Sequence, residues 1–153
     1  MENGGRVFSI SEIAVGGGVL GLCPLPQAAD VAVLRDWQAD VVLTLVEQAE
    51  AAELSPDLAD ALAAEGIAQR CYPIADFGVP VAGWSEISAD LHGRLAKGGR
   101  IIVHCRGGCG RTGMIALRLM IELGEAPDAA LARLRAVRPC AVETEAQRLW
   151  AST

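Results

Sequence analysis

The chain alternates short apolar runs with segments of helical periodicity. Continuous or alternating apolar positions predict strands, and apolar positions three or four residues apart predict helices. The predicted strands cover 6–10, 14–22, 41–46, 67–72 and 100–104, and the predicted helices cover 30–39, 55–65, 84–97, 114–123, 127–137 and 144–151. Because strands alternate with helices, the sequence predicts an α/β fold with a central, mostly parallel sheet flanked by helices.

Length and composition narrow the class of protein. The chain has 153 residues, of which 52% are hydrophobic, and this predicts a single domain over residues 1–153. A net charge of −6 argues against nucleic-acid binding. The sequence has no run of about 18 apolar residues, so we expect no membrane span.

The cysteines and the N-terminus bear on location. The five cysteines form an odd set without the spacing of a disulfide framework, which favours a reducing compartment. The N-terminus lacks the basic stretch and long apolar core of a secretory leader. Together these features predict a cytoplasmic protein.

The candidate chemistry lies in IIVHCRGGCGRTG at 101–113. A predicted buried strand ends at Cys105, a loop with three glycines follows, and then a helix begins. Inward-turned N–H groups at a helix N-terminus bind anions and favour a thiolate. Arg111 closes the loop with a planar guanidinium suited to two phosphate oxygens. We therefore predict a Cys105 nucleophile beneath a phosphate that is bound by Arg106, Gly107, Gly108, Cys109, Gly110 and Arg111.

Three alternatives to a catalytic phosphate loop stay open on the residues alone. They are a structural turn with a small buried cysteine, a nucleotide P-loop and a rhodanese-like sulfurtransferase loop. The P-loop is disfavoured because Gly-Lys-Ser/Thr is missing, and sulfurtransferases typically have a shorter loop. The joint occurrence of His104, Cys105, Arg111 and Thr112 favours the catalytic phosphate loop over all three.

Two neighbours of the nucleophile are expected to support it. His104 is expected to hold the loop by hydrogen bonds and is not assigned as a base. Thr112 can donate its hydroxyl to the Cys105 thiolate and so ease its departure in a second step. Thr112 is equally an ordinary residue for the start of a helix.

Four segments follow one another along the chain: LGLCPLP at 20–26, YPIADFGVP at 72–80, VHCRGGCGRT at 103–112 and AVETEAQ at 141–147. In this order they resemble the dual-specificity phosphatases similar to the cyclin-dependent-kinase-associated phosphatase, within the cysteine-dependent protein phosphatases. The resemblance covers most of the chain. It implies metal-free, cofactor-free hydrolysis of phosphotyrosine and phosphoserine or phosphothreonine in proteins, through a phosphocysteine intermediate.

The resemblance also implies two further catalytic residues. From its spacing alone, Asp76 is equally a general acid for the leaving group or a turn-capping residue. Its place in YPIADFGVP implies the general acid, with Asp90 on a predicted helix as the fallback. Gln147 matches the glutamine that positions the hydrolytic water in such enzymes, whereas the sequence by itself favours a solvent-facing side chain.

Substrate, partner and regulation are less constrained. A phosphoinositide is the non-protein alternative, although the loop has Arg106 where lipid phosphatases have paired lysines, and a phospho-binding module without turnover is the other alternative. The resemblance implies a phosphorylated protein as partner and leaves a kinase partner open. A disulfide of Cys105 with Cys109 or Cys71 is conceivable, but ordinary small loop and core cysteines are favoured.

Overall fold

A computed structural model describes residues 8–153, which contain one five-stranded sheet in the order β1-β2-β5-β3-β4. β1 pairs with β2 in antiparallel fashion, and the other three pairings are parallel. The strands are β1 (Ser11–Val15), β2 (Gly18–Cys23), β3 (Val41–Thr44), β4 (Ala68–Cys71) and β5 (Arg100–His104). The predicted α/β fold with a mostly parallel sheet is confirmed.

Seven α-helices flank this sheet in the described part of the chain. They are α1 (Val31–Asp36), α2 (Gln48–Leu54), α3 (Leu58–Ala64), α4 (Trp84–Ala96), α5 (Gly110–Glu122), α6 (Pro127–Val137) and α7 (Glu145–Ser152). A 3₁₀ turn at Ala28–Asp30 leads into α1. None of the helices within residues 8–153 is long and apolar enough to cross a membrane.

β5 lies at the centre of the sheet between β2 and β3. Its apolar residues Ile101, Ile102 and Val103 are fully buried, as expected for a parallel strand covered on both faces. Parallel strands end at the same edge of the sheet, and ligands bind at that edge in α/β folds. The loops that follow β3, β4 and β5 therefore converge where Cys105 leaves β5.

The N-terminal strands differ from the prediction. Of the predicted strand 6–10, residues 6 and 7 lie outside the described residues, and residues 8–10 are not in a strand. The predicted strand 14–22 is instead the end of β1, a turn and most of β2. Gly16 and Gly17 have φ of +59° and +90°, the left-handed backbone of a two-residue hairpin turn. These glycines reverse the chain, so the predicted single strand 14–22 is wrong.

Two helices also differ from the prediction. The sequence analysis missed α2 entirely, because α2 buries none of its residues and so shows no apolar periodicity. The predicted helix 55–65 begins only at Leu58, because Ser55 is the C-cap of α2 and its buried hydroxyl donates to the Pro26 carbonyl at 2.6 Å. α5 begins at Gly110, four residues before the predicted start at Met114.

Candidate active site

Cys105 lies between the end of β5 and the start of α5, at a cleft of about 290 Å³. The loop from Cys105 brings most of the predicted phosphate-binding residues into that cleft. The cleft is lined by Asp76, Phe77, Cys105, Arg106, Gly107, Cys109, Gly110, Arg111 and Glu143. Gly108 does not line the cleft, because its left-handed backbone (φ +74°) lies against the Cys23 backbone, where a Cβ would be 2.5 Å away.

Arg111 is buried at the base of the cleft and is only 1% exposed. Its Nη1 donates to Glu50 Oε1 at 2.6 Å and to the Ile74 carbonyl at 2.9 Å, and its Nη2 donates to Glu50 Oε2 at 3.0 Å. A buried guanidinium needs such partners to offset the loss of water. The bidentate pair with Glu50 holds the plane of the guanidinium in one orientation.

Electrostatics keep this pair ionised. Burial lowers the pKa of Arg111, but the Glu50 hydrogen bond and the charges of Cys105, Glu50 and Asp76 outweigh it and leave the pKa raised. The hydrogen bond from Arg111 holds the pKa of Glu50 below its usual range. Arg111 is thus available as a permanent positive charge at the base of the cleft.

Glu50 is a site residue that the sequence analysis missed. It lies on α2, outside the four segments that carried the resemblance. The one sign of Glu50 in the sequence is the spacing Glu47-x-x-Glu50, which is that of a capping box. In the structure, Glu50 Oε1 accepts the Glu47 N–H at 3.0 Å. That spacing indicates a helix start but gives no reason to expect a partner for Arg111.

Asp76 reaches the cleft from the loop after β4. Its Oδ1 lies 3.3 Å from Arg111 Nη2 and accepts the N–H of Phe77 at 3.1 Å. The side chain is 43% exposed, so it faces the open side of the cleft. The structure therefore brings Asp76 together with Cys105 and Arg111, and its role as general acid stays a prediction.

The fallback residue Asp90 lies elsewhere, on α4. Its Oδ2 forms ion pairs with Arg70 and Arg94, both at 3.1 Å, and it does not line the cleft. Asp90 therefore does not share the cleft with Cys105.

His104 is fully buried and forms a hydrogen bond of 3.1 Å, through Nδ1, to the backbone carbonyl of Cys105, at the start of the loop. The Cys105 carbonyl can only accept, so the proton of the neutral imidazole is on Nδ1, and Nε2 accepts the Thr44 hydroxyl proton at 2.8 Å. The Thr44 Oγ1 in turn accepts from Gln69 Nε2 at 2.9 Å. Burial lowers the pKa of His104 to about 4, against the opposing hydrogen bond to Cys105. The imidazole is a neutral support.

Thr112 does not make the predicted hydrogen bond to Cys105. Its buried hydroxyl has no hydrogen-bond partner within residues 8–153. Thr112 lies in the first turn of α5, which begins at Gly110. The alternative expectation, a residue at the start of a helix, describes its position.

Gln147 is fully buried, so the expectation of a solvent-facing side chain is wrong. Its Oε1 accepts the N–H groups of Glu143 at 2.9 Å and Thr144 at 3.2 Å, and its Nε2 donates to the Gly78 carbonyl at 3.3 Å. These bonds cap α7 and join it to the Asp76 loop. Gln147 does not line the cleft, and its water-positioning role stays a prediction.

The cleft contains a second carboxylate that the sequence analysis did not single out. Glu143 lies in AVETEAQ, one of the resembling segments, but the analysis used only Gln147 from that segment. Glu143 is exposed at the cleft, beside the start of α5. The sign available in the sequence was its position four residues before Gln147, within the same resembling segment.

The loop cysteine Cys109 is bonded to Cys140, which follows α6. The suggested disulfide between Cys105 and Cys109 is therefore absent, and Cys109 is not an ordinary small loop residue. Cys140 reaches the phosphate loop because the chain turns back across it after Arg138-Pro139 ends α6. Cys71 is an exposed thiol on β4 and lies outside the cleft.

Arg138 also contacts the phosphate loop. Its Nε donates to the Gly108 carbonyl at 2.6 Å and its Nη2 to the Gly107 carbonyl at 3.1 Å. Arg138 thus supplies donors to two backbone carbonyls of the phosphate loop, which need hydrogen-bond partners. Among residues 8–153, no group of three or more His, Cys, Asp or Glu side chains lies close enough to hold a metal ion.

Comparison with known sequences gives a consistent set of relatives. A family model described as "Polymorphic toxin system, DSP-PTPase phosphatase" matches residues 23–125. Cyclin-dependent kinase inhibitor 3 of Homo sapiens is 32% identical over 133 residues, which are 78% of this chain and 63% of the human protein. The Rattus norvegicus protein of the same name is 32% identical over 134 residues, with the same coverage. The chain thus spans about 63% of the length of these curated relatives.

Solved structures with the same fold include named phosphatases. A kinase-associated phosphatase, crystallised with its catalytic-site cysteine replaced by serine, has a TM-score of 0.87 at 26% identity, over 96% of this chain and 93% of that chain. Tk-PTP in its active form has a TM-score of 0.76 at 30% identity, over 93% of this chain and 95% of that chain. PTPMT1 in complex with PI(5)P has a TM-score of 0.77 at 18% identity, which indicates a shared fold alone.

Proposed function

We propose, since the chain belongs to the DSP-PTPase phosphatase family, that it is a cysteine-dependent phosphatase acting on phosphorylated proteins. Its substrates are phosphotyrosine and phosphoserine or phosphothreonine monoesters, and Cys105 carries the phosphate between two steps. The observation that supports this most strongly is the convergence of Cys105, Arg111 and Asp76 on one cleft at the end of the central strand.

In the first step, Cys105 Sγ attacks the phosphorus and forms an S–P bond. The P–O bond to the substrate breaks, and Asp76 gives a proton to the departing oxygen. The guanidinium of Arg111 and the N–H groups of 106–110 bind the other phosphate oxygens. Because the charge of the transition state spreads over those oxygens, donors fixed in advance lower the barrier.

In the second step, water attacks the phosphocysteine. A new P–O bond forms, the S–P bond breaks, and the electron pair returns to Cys105 as a thiolate. The Asp76 carboxylate takes the proton of the attacking water, and inorganic phosphate leaves. His104 remains neutral at working pH, because its pKa is about 4, and it holds the loop throughout.

The rim of the cleft supports a protein substrate. Phe77 is 61% exposed beside Asp76 and offers an apolar surface next to the phosphate position. Arg106 is exposed on the opposite part of the loop and can bind an acidic group beside the phosphorylated residue. A rim built from exposed side chains suits a phosphorylated side chain presented on a peptide, whether aromatic or aliphatic.

Turnover of p-nitrophenyl phosphate and of phosphopeptides, with EDTA present, tests this proposal. We expect an active wild type, no measurable turnover by Cys105→Ser, and a loss of about 100-fold or more in Asp76→Asn, with its rate decline at alkaline pH flattened. Asp90→Asn is the matched control and should equal wild type, since Asp90 lies outside the cleft.

Three outcomes would contradict the proposal. Full activity of Cys105→Ser would show that Cys105 is not the nucleophile. Binding of vanadate by a wild type that turns over none of these esters would favour a phospho-binding module. Transfer of sulfur from thiosulfate to cyanide, independent of Asp76, would favour a sulfurtransferase.

A further inference from the structure

The Asp76 loop, residues 73–83, joins β4 to α4 and has few buried side chains. Among residues 73–83, Ile74 alone is buried, so side-chain packing contributes little to the position of the loop. Three side chains from outside the loop donate to its backbone carbonyls, one near each end and one in the middle. They are Arg111 Nη1 to Ile74 at 2.9 Å, Gln147 Nε2 to Gly78 at 3.3 Å and Tyr72 Oη to Ala82 at 2.8 Å. The position of Asp76 over the cleft therefore depends on these bonds.

Tyr72 is the donor among these three that takes no other part in the site. Arg111 lines the cleft, and Gln147 also accepts two backbone N–H groups at the start of α7. Tyr72 does not line the cleft. An effect of its hydroxyl on turnover therefore has to pass through the Asp76 loop.

The Tyr72 hydroxyl is itself fixed in place. The Tyr72 N–H donates to the Thr44 carbonyl at 2.9 Å, which ties its backbone to the end of β3. Its ring is buried and lies 5.9 Å from the ring of Trp84, the first residue of α4. Burial raises the pKa of Tyr72 above its usual value, against the lowering effect of the Arg118 charge, so the hydroxyl stays protonated. Tyr72 is thus a fixed donor that joins the end of the Asp76 loop to the sheet.

The turn that carries Asp76 needs such support because its backbone is strained. Phe77, the next residue, has φ of +61°, which is unfavourable for a bulky residue and persists only where the surroundings enforce it. Within the turn, Asp76 Oδ1 accepts the Phe77 N–H at 3.1 Å, and the Gly78 N–H donates to the Ala75 carbonyl at 2.7 Å. A turn of this kind keeps its conformation only while the ends of the loop stay in place.

We propose that Tyr72 is a positioning residue for Asp76. The inference rests on the phosphatase function proposed above. The bond from its hydroxyl to Ala82 holds the Asp76 loop over the cleft, so that Asp76 reaches the leaving oxygen in the first step and the attacking water in the second. Tyr72 itself gives and takes no proton.

Two aryl phosphates separate proton donation from the rest of the first step. Phenolate is a strong base and needs a proton from Asp76 to leave, whereas dinitrophenolate is a weak base and leaves without one. The variant is Tyr72→Phe, which removes the hydroxyl and keeps the ring. We expect its kcat/KM to fall about 10-fold with phenyl phosphate and to stay at the wild-type value with dinitrophenyl phosphate. The readout is kcat/KM because it reports the steps up to the phosphocysteine, whereas kcat also includes its hydrolysis.

A double variant tests whether Tyr72 acts through Asp76. If it does, Tyr72→Phe should have no further effect on phenyl phosphate in the background of Asp76→Asn, because the proton donor is already absent. Ser55→Ala is the matched control, since it also removes a buried hydroxyl that donates to a backbone carbonyl, outside the Asp76 loop. Its ratio of the two kcat/KM values should equal that of wild type.

Three results would overturn the inference. Wild-type kcat/KM of Tyr72→Phe with both substrates would mean that the hydroxyl does not position Asp76. An equal fall with both substrates would mean that the substitution disturbs the nucleophile or the phosphate loop. Losses that multiply in the double variant would mean that Tyr72 acts independently of Asp76. Absence of turnover by the wild type would instead contradict the proposed function, and the inference with it.

Discussion

Arg111 shows how a functional residue depends on a partner far away in the sequence. The guanidinium is buried at the base of the cleft, and its two main donors are directed to Glu50 and to the Ile74 carbonyl. Without Glu50, a buried positive charge would lose its counter-ion, which costs several kcal/mol. Glu50 is therefore expected to affect both the stability of the fold and the binding of phosphate.

We predict that Glu50→Gln lowers the free energy of unfolding by about 3 kcal/mol, as breaking a buried ion pair does. It should also raise KM for p-nitrophenyl phosphate about 10-fold, because the orientation of Arg111 is no longer enforced. Urea unfolding and steady-state kinetics measure the two effects. Glu53→Gln, an exposed residue on the same helix, is the control and should change neither.

The pH dependence of this effect has a definite sign. The Arg111 hydrogen bond lowers the pKa of Glu50 from its usual 4.5. A carboxyl whose folded-state pKa is lowered stabilises the fold above its unfolded-state pKa and loses that contribution as pH falls through the folded-state value. The difference between wild type and Glu50→Gln should therefore be constant from about pH 5 to pH 8. A difference that grows or disappears within that range would contradict the ion pair.

At the scale of elements, the segment between α6 and α7 is bonded to the phosphate loop at several points. The bonds are the Cys109–Cys140 disulfide, the Arg138 hydrogen bonds to Gly107 and Gly108, and the Val142 N–H to the Cys109 carbonyl. Two loops distant in sequence thus behave as one structural unit around the cleft. The disulfide is the covalent part of that unit.

We predict that the disulfide stabilises the oxidised protein by about 3–4 kcal/mol, from the chain entropy of a closed loop of this length, its cysteines being 31 residues apart. Cys140→Ser should lose this amount in urea unfolding, and dithiothreitol should bring the wild type down to the same stability. Cys71→Ser is the control, since Cys71 is exposed and not disulfide-bonded.

If dithiothreitol leaves the wild type unchanged and Cys140→Ser matches it, the disulfide does not form in solution. The result also bears on the predicted cytoplasmic location. A protein that depends on this disulfide for stability would be weakened in a reducing compartment.

At the scale of the whole molecule, the sequence was most informative where local and tertiary patterns agree. The central strand, the glycine loop and the following helix are contiguous, so the positions of Cys105 and Arg111 follow from one segment. The alternation of strands and helices along the chain predicted the mostly parallel sheet, because parallel strands are joined by helices. Asp76 and Gln147 came from the family resemblance, because nothing in their local spacing requires them to meet Cys105.

The parts that the sequence did not predict have physical reasons in common. α2 has no buried residue, so apolar periodicity could not reveal it, and Glu50 was missed with it. The disulfide joins cysteines that only the turn after α6 brings together, and their spacing matches no framework. The first turn of α5, from Gly110, contains polar and glycine residues, so the apolar periodicity of the helix begins only at Met114.

The account depends most on phosphate passing through Cys105. The direct measurement is a denaturing quench of wild type during turnover of p-nitrophenyl phosphate, followed by mass spectrometry of the peptide that contains Cys105. We predict phosphate bonded to Cys105 in the wild type, and neither adduct nor turnover in Cys105→Ser. Phosphate on a different residue, or wild-type turnover by Cys105→Ser, would contradict the account.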